Sequence, residues 1–301
     1  MPIILTAKRK NLLAQKNIAS TRCCVIVTSR NYYMKKQSET DAAFDSWAAY
    51  YDLVHKGLPG EAEFYIGQAM KHGGPVLELG CGTGRIAIPL AMSAVKVTGL
   101  DNSREMLAVC REKMAHVGQL PGELSLVEGN MQDFSLAETF PLALMTYRTF
   151  MHCLTPDEQL NCLACIYQHL EPAGELFLNV WSAKADALLL FPTSYQEDTI
   201  RLLESLPIPG EESVLDHFYT AWRDDFNQLI HERHWMQEKD EDGNLLHETE
   251  LTMTRTWFTP REMEHLLVRA GFELMAALGD FEGELLAPHH KEMVWHVRRP
   301  R

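Results

Sequence analysis

The sequence predicts a doubly wound α/β fold on a mostly parallel, seven-stranded sheet, with an antiparallel β insert after the fifth strand. Three observations predict it. From Pro75 onward short aliphatic runs alternate with helical patterns, and strands apolar on both faces belong in a parallel sheet covered by helices. Gly80, Gly82 and Gly84 fall where the first run, VLEL, meets the first helical pattern. From about Leu215 to Phe258 the pattern changes to that of an antiparallel meander.

Upstream of the sheet, DAAFDSWAAYYDLVH sets Phe44, Trp47, Ala48, Tyr51 and Val54 at helical spacing, with Ser38 and Asp41 as capping groups. PVLELG reads as a buried strand and RIAIPLAMSA as a helix. VKVTGLD and SREMLAVCREKMAHVG form the next pair, and ELSLVEGN and FPLALMTY are the third and fourth strands. Thr155, Pro156 and Glu158 make a capping box with proline at the first helical position, opening a helix that ends near EPAGE. GELFLNVW begins the fifth strand. The meander follows as DHFYTAW, LIHERHWMQE, an Asp242-Gly243 turn and LLHETELTMTRTWF. In its last strand Leu251, Met253 and Trp257 share one face, and Thr252, Thr254 and Thr256 the other. A second box, Thr259 to Glu262, opens TPREMEHLLVRAG, which Gly271 stops. FELMAAL and MVWHVRR supply the last two strands.

A length of 301 residues suits one large domain with an inserted subdomain. No apolar run approaches the roughly 20 residues needed to cross a bilayer. Charge is unevenly placed: Met1 to Ser38 carries eight Lys or Arg and no acid, leaving 20 basic against 41 acidic residues in the rest. So acidic a body repels phosphate backbones, which argues against nucleic acid, and no membrane partner is expected. Residues 1–37 read as a basic leader, disordered or upstream of a natural start at Met34, although an acid-free segment with Arg and Ser also fits a transit peptide. Residues 38–301 form the main domain, with 183–258 as an inserted lid. The CxxC of Cys162 and Cys165 lies in a helical pattern with no second pair to complete a zinc site. The five cysteines after the leader are therefore expected as free thiols in a reducing cytoplasm, with no metal.

A glycine-rich turn between the first strand and its helix lets backbone approach a ligand closely. The dinucleotide fingerprint G-x-G-x-x-G would need a glycine where Arg85 stands. The shorter turn, with Glu78 just upstream, suits a ligand that lacks pyrophosphate and carries an amino group. Glu78-Leu79-Gly80-Cys81-Gly82-Thr83-Gly84 resembles the first motif of class I S-adenosylmethionine (SAM) dependent methyltransferases. Asp101, ending the second strand, stands where the family's acid holds both ribose hydroxyls, with Asn102 beside it. Met106 stands where the family packs an apolar side chain on adenine. GNMQDF resembles the segment that binds the adenine edge, with Asn130 in place of the usual acid and Met131 after it. Tyr51 resembles the tyrosine that closes over the SAM carboxylate in small-molecule members. The resemblance runs from about Phe44 to the carboxy terminus and implies a Rossmann-like methyltransferase fold, SAM as cofactor and methyl transfer by in-line displacement.

Past the fourth strand, Tyr147, Arg148 and His152 sit at the carboxyl end of a parallel strand, where open α/β sheets bind ligands. Arg148 is placed to hold a carboxylate of SAM or of the acceptor, and His152 to serve as base or to pack as a helix-start histidine. The insert resembles the lid of small-molecule N-methyltransferases acting on amino sugars and glycine. Its Tyr219, Trp222, Trp235 and Trp257 are expected to form the insert's own core, to enclose an amine acceptor by cation–π contact, or to meet a second copy in a homodimer. The acceptor is expected to be a small molecule, methylated on nitrogen in preference to oxygen. Two alternatives stay open: a nicotinamide-dependent oxidoreductase, and a non-catalytic SAM-binding regulatory protein.

Overall fold

Five strands in succession run parallel: β1 (Val76–Leu79), β2 (Lys96–Asp101), β3 (Glu123–Glu128), β4 (Phe140–Met145) and β5 (Leu170–Trp181). The computed structural model describes residues 44–183, 188–196 and 199–301. The leader, and the capping expected of Ser38 and Asp41, lie outside the described residues. β10 (Glu273–Leu278) and β11 (Glu292–Arg298) complete the sheet in the order β10-β11-β5-β4-β1-β2-β3, with β11 antiparallel to both its neighbours. The seven strands and their mostly parallel sense match the sequence expectation.

Period-two alternation divides the aliphatic residues between the two faces. Leu77, Leu79, Ala143, Met145, Leu176, Leu178 and Val180 join one core with α5 (Pro156–His169) and α6 (Pro260–Arg269). Val76, Leu142, Leu144 and Phe177 join the other with α2 (Glu61–His72) and α3 (Ala87–Met92). Both Thr-Pro-x-Glu boxes form as read: Thr155 and Thr259 accept from the backbone N–H of Glu158 and Glu262, whose side chains reach back. α4 (Arg104–Val117) is capped by the Ser103 hydroxyl, which accepts from the Met106 N–H.

The second sheet is antiparallel and has four strands: β6 (Arg201–Pro207), β7 (Val214–Asp224), β8 (Leu229–Lys239) and β9 (Leu245–Thr256). Only the last three are visible in the sequence pattern. β6 is mostly exposed, and its register shifts between Leu202 and Glu204, so its alternation is broken. Leu251 and Met253 pack with Leu215, Met236 and Trp47, whereas Trp257 turns into a separate cluster with Ala221 and Ile230. Trp47 precedes α1 (Ala48–Val54), so this segment packs on the insert sheet.

Candidate active site

β1 is flanked by β2 on one side and β4 on the other: the chain winds outward through β2 to β3 and then crosses back to β4, so the direction of winding reverses at β1. A crevice opens at the carboxyl ends of strands at such a switch point. The glycine turn leaves β1 at this place. Gly80, Gly82 and Gly84 all have positive φ, a region L side chains avoid. A Cβ on Gly80 would strike Thr149 at 2.4 Å, and one on Gly84 would strike Cys110 at 2.5 Å. At Gly82 the added atom would fill open space between Met106 Cε, 3.4 Å away, and Asp101 Oδ2, 4.0 Å away.

Asp101 ties the turn to the end of β2. Its Oδ2 accepts the Gly82 N–H at 2.7 Å and its Oδ1 the Ser103 N–H at 2.9 Å. Burial raises its pKa against these backbone bonds. Glu78 is buried, takes the Thr146 hydroxyl on Oε1 at 3.2 Å, and leaves Oε2 with no partner among the described residues. Burial pushes its pKa up to about 8. Asn102 is exposed beside Asp101, and Met106 is buried at the start of α4. Asn130 closes a local turn by accepting the Gln132 N–H at 2.9 Å, and Met131 rests against the first core. An adenosyl group with a charged amino end fits these residues: the Gly82 cradle is open between an apolar and an acidic side chain, and Glu78 presents an unpaired buried oxygen.

The opposite rim is built from residues far apart in the chain. Tyr147 and Arg148 both hold positive φ just after β4, a strained pair that surrounding bonds must fix. Glu61, fully buried on α2, fixes it: Oε1 accepts the Tyr147 N–H at 2.9 Å, while Oε2 pairs with Arg85 at 2.7 Å. Arg85 also lies over the Tyr147 ring at 4.6 Å. Tyr147 Oη contacts His55 Nδ1 at 3.3 Å, and the Tyr51 ring lies 4.7 Å from that imidazole. Burial, with Tyr147 next in weight, raises the Tyr51 pKa.

Two expectations need correction here. Arg148 is paired with Glu292, its Nε 3.1 Å from Oε1, and Asn179 donates to the same carboxylate at 3.1 Å. The guanidinium is thus engaged by β11, and Arg85 is the cation beside Tyr147. The insert's aromatics do not share one cage. Strand pairing sets Tyr219 on the face with His234, but Trp222 and Trp235 on the other, where Trp222 stacks on His231 and Arg233 covers Trp235.

His152, on a 3-10 turn (Thr149–His152), meets the Phe44 ring edge-on at 5.3 Å. Burial, reinforced by Arg255, lowers its pKa to about 4. His55 is likewise lowered to about 4, by burial and then by His217. The inner face of the insert sheet adds a buried Glu232, which receives Arg255 at 2.6 and 2.7 Å and the Tyr219 hydroxyl at 2.8 Å. Burial opposes its ionisation, and Arg255 outweighs that, so its pKa falls. Neither His55 nor Glu61 nor this cluster emerges from the sequence, because single residues in unrelated patterns carry no spacing signal. α2 itself had a signal: Gly60 and Gly73 bracket Glu61 and Glu63 in its first turn and Lys71 and His72 in its last.

The five described cysteines are free thiols, with Cys162 in the core of α5 and Cys165 at 3.4 Å from the Gln132 carbonyl. Glu284, His289 and His290 hold potential metal-ligating atoms within 4.8 Å of one another. His290 Nδ1 accepts the Ala287 N–H at 3.0 Å, so its proton sits on Nε2, and the ring locks a loop in the tautomer a metal would have to displace. Among the described residues no helix is long and apolar enough to cross a membrane.

Residues 76–174 match the family described as methyltransferase domain. Among curated proteins, the cypemycin N-terminal methyltransferase of a Streptomyces species is 34% identical over 134 residues, 43% of this chain and 52% of that enzyme. The chain thus spans about half that relative's length. An uncharacterized methyltransferase of Bacillus thuringiensis is 31% identical over 159 residues, 50% of this chain and 71% of the relative. Among solved structures, the CcbJ methyltransferase of Streptomyces caelestis superposes with a TM-score of 0.70 at 25% identity, covering 87% of this chain and 99% of that one. SAM-bound CalS10 of Micromonospora echinaspora, an amino pentose methyltransferase, shares the fold with a TM-score of 0.56 at 21% identity, covering 97% and 100%. The glycine turn with Arg85 where the dinucleotide fingerprint needs its last glycine, the acid ending β2 and these matches together set aside the oxidoreductase alternative: the chain belongs to the SAM-dependent methyltransferases.

Proposed function

We propose that the chain methylates a nitrogen of a small-molecule acceptor held between the glycine turn and the inner face of the insert sheet, with residues 183–258 as its lid. In this reading Asp101 holds the ribose hydroxyls with Asn102 beside it, and Met106, Asn130 and Met131 hold the adenine. Glu78 takes the amino group, the backbone of Gly80, Gly82 and Gly84 cradles the chain between them, and Tyr51 with Arg85 faces the carboxylate. SAM supplies an electrophilic methyl group, lost from its sulfonium by in-line displacement.

The protein's main tasks are alignment and exclusion of water, worth several kcal/mol and up to about 10. Tyr147, His55 and His152 stand at the acceptor end. The observation that carries the nitrogen reading is that both imidazoles are kept neutral by burial, with pKa values of about 4. Such weak bases are poorly matched to removing a hydroxyl proton. An amine needs less: an alkylammonium of ordinary pKa near ~10.4 gives up its proton at pH 7 for about 5 kcal/mol and then attacks with its own lone pair. A relative named as an N-terminal methyltransferase supports the same choice.

The test is a panel of small amines, amino sugars and short peptides, each paired with its hydroxyl counterpart, read by S-adenosylhomocysteine formation and product mass. Methylation of the amine member is expected. Preference for the hydroxyl member would overturn the nitrogen assignment.

A further inference from the structure

Across the insert sheet runs a line of side chains that methyl transfer itself does not use. Glu204 on β6 stands directly opposite His217 on β7, with Oε1 3.5 Å from His217 Nδ1. His217 Nε2 lies 2.9 Å from Nδ1 of His234 on β8. Both imidazoles are buried, at 2% and 5% exposure, whereas the Glu204 side chain is 39% exposed and reaches solvent. His234 Nε2 has no partner among the described residues.

Hydrogen-bond chemistry fixes the direction of this line. A carboxylate oxygen only accepts, so His217 donates its Nδ1–H to Glu204. Neutral His217 then presents a bare Nε2, and His234 must donate its own Nδ1–H to it. His234 is left with an unprotonated Nε2, a buried lone pair at the inner end. Both tautomers are set by the partner each ring meets next.

The inner end lies beside the acceptor rim. The His234 and His55 rings both pack on the Trp47 indole, at 4.8 and 5.2 Å, and His55 Nδ1 contacts Tyr147 Oη. The charged and titratable groups facing His234 are Glu232 on its own strand, His217 and Tyr219 on β7, Arg255 on β9 and His55 beyond α1.

We propose that Glu204, His217 and His234 form a proton exit, which drains one proton from a bound ammonium acceptor to solvent by way of Tyr147 and His55. The proposal rests on the amine reading given above. The acceptor's N–H bond breaks and its electron pair stays on nitrogen as the nucleophilic lone pair. The proton passes from Tyr147 to His55, whose ring shares the Trp47 indole with that of His234, and crosses to His234 Nε2 by a water bridging the two imidazoles; His234 releases its Nδ1 proton to His217 Nε2, and His217 releases its own to Glu204, which returns it to water. Each ring gains one proton and loses one, so none is oxidised or left charged. Burial disfavours the imidazolium at His55, His217 and His234, which makes the transfer a concerted tautomer shift.

Nitrogen-resolved NMR of histidine-labelled protein saturated with S-adenosylhomocysteine tests this without any acceptor, so a barren acceptor panel and a failed relay are told apart. In the parent, His217 and His234 are expected as Nδ1–H tautomers with a bare His234 Nε2, and their protons exchange with water despite burial. Glu204→Lys, whose ammonium only donates, should reverse both tautomers and abolish the unprotonated His234 Nε2 signal. Glu204→Gln, whose carbonyl still accepts but cannot take up the proton, should keep the tautomers and slow the exchange. A protonated His234 Nε2 in the parent, unchanged tautomers in Glu204→Lys, or parent-like exchange in Glu204→Gln would each overturn the proposal.

Discussion

Replacing Asp101 by alanine perturbs two things at once, and the structure separates their sizes. The carboxylate is proposed to hold the ribose hydroxyls, and a lost hydrogen bond to a charged group weakens binding by about 1.5–3 kcal/mol. At about 1.4 kcal/mol per decade, SAM affinity should fall roughly ten- to a hundredfold or somewhat more. The same side chain accepts the Gly82 and Ser103 N–H groups, so its removal orphans two buried donors. Each costs about 1–3 kcal/mol of stability unless water replaces the carboxylate. Asp101→Asn keeps one acceptor oxygen but turns an amide N–H toward the other donor, so its stability should fall less than that of alanine. The assay is calorimetric titration with SAM and S-adenosylhomocysteine, alongside denaturant unfolding of the apo protein. SAM affinity within about twofold of the parent would refute the ribose role. Unchanged apo stability would refute the buttressing of the glycine turn.

Further outcomes follow from the same geometry. Gly82→Val should abolish SAM binding, checked by the same titration, since its φ of +53° disfavours a side chain and the added atoms fill the cradle; binding within tenfold of the parent would contradict it. Glu78, held protonated near neutral pH by a pKa of about 8, should release a proton when the SAM ammonium arrives at pH 7, seen as a buffer-dependent binding enthalpy that vanishes in Glu78→Gln. Because that folded-state pKa is raised, Glu78 stabilises the apo protein fully below about pH 4.5, and the contribution is lost as pH rises toward about 8. The lowered histidines act oppositely: His55 and His152 favour the fold above about pH 6.5 and lose that contribution as pH falls toward about 4, so acid unfolding should begin earlier than in variants carrying glutamine at both positions. Glu61→Gln should cost about 3–5 kcal/mol in denaturant unfolding, because it leaves Arg85 without its buried partner; a loss under about 1 kcal/mol would show that Glu61 does not hold the rim.

The half of the site nearest β1 was legible because one short segment carries it. Three glycines with positive φ, an acid before them and an acid ending the next strand are local features, and each reports a backbone demand that few residues meet. The rim opposite was legible only in part: Tyr147 could be placed after the fourth strand, but Glu61, His55 and Glu232 join it only through the fold. Arg148 illustrates the limit: its position after β4 was readable, but its partner Glu292 lies 144 residues away. The insert's last strands were visible from their alternation, whereas which aromatics share a face depended on the pairing register of β7 and β8. β6 escaped notice because its leucines at 202 and 203 are exposed and its register breaks between Leu202 and Glu204.

The most direct test of the site is a crystal structure of the protein with S-adenosylhomocysteine. The expected result places the ribose hydroxyls on Asp101, the adenine against Met106, and the amino group on the unpaired oxygen of Glu78. An adenosyl group seated elsewhere, or one that leaves Asp101 and Glu78 without contact to it, would contradict the arrangement.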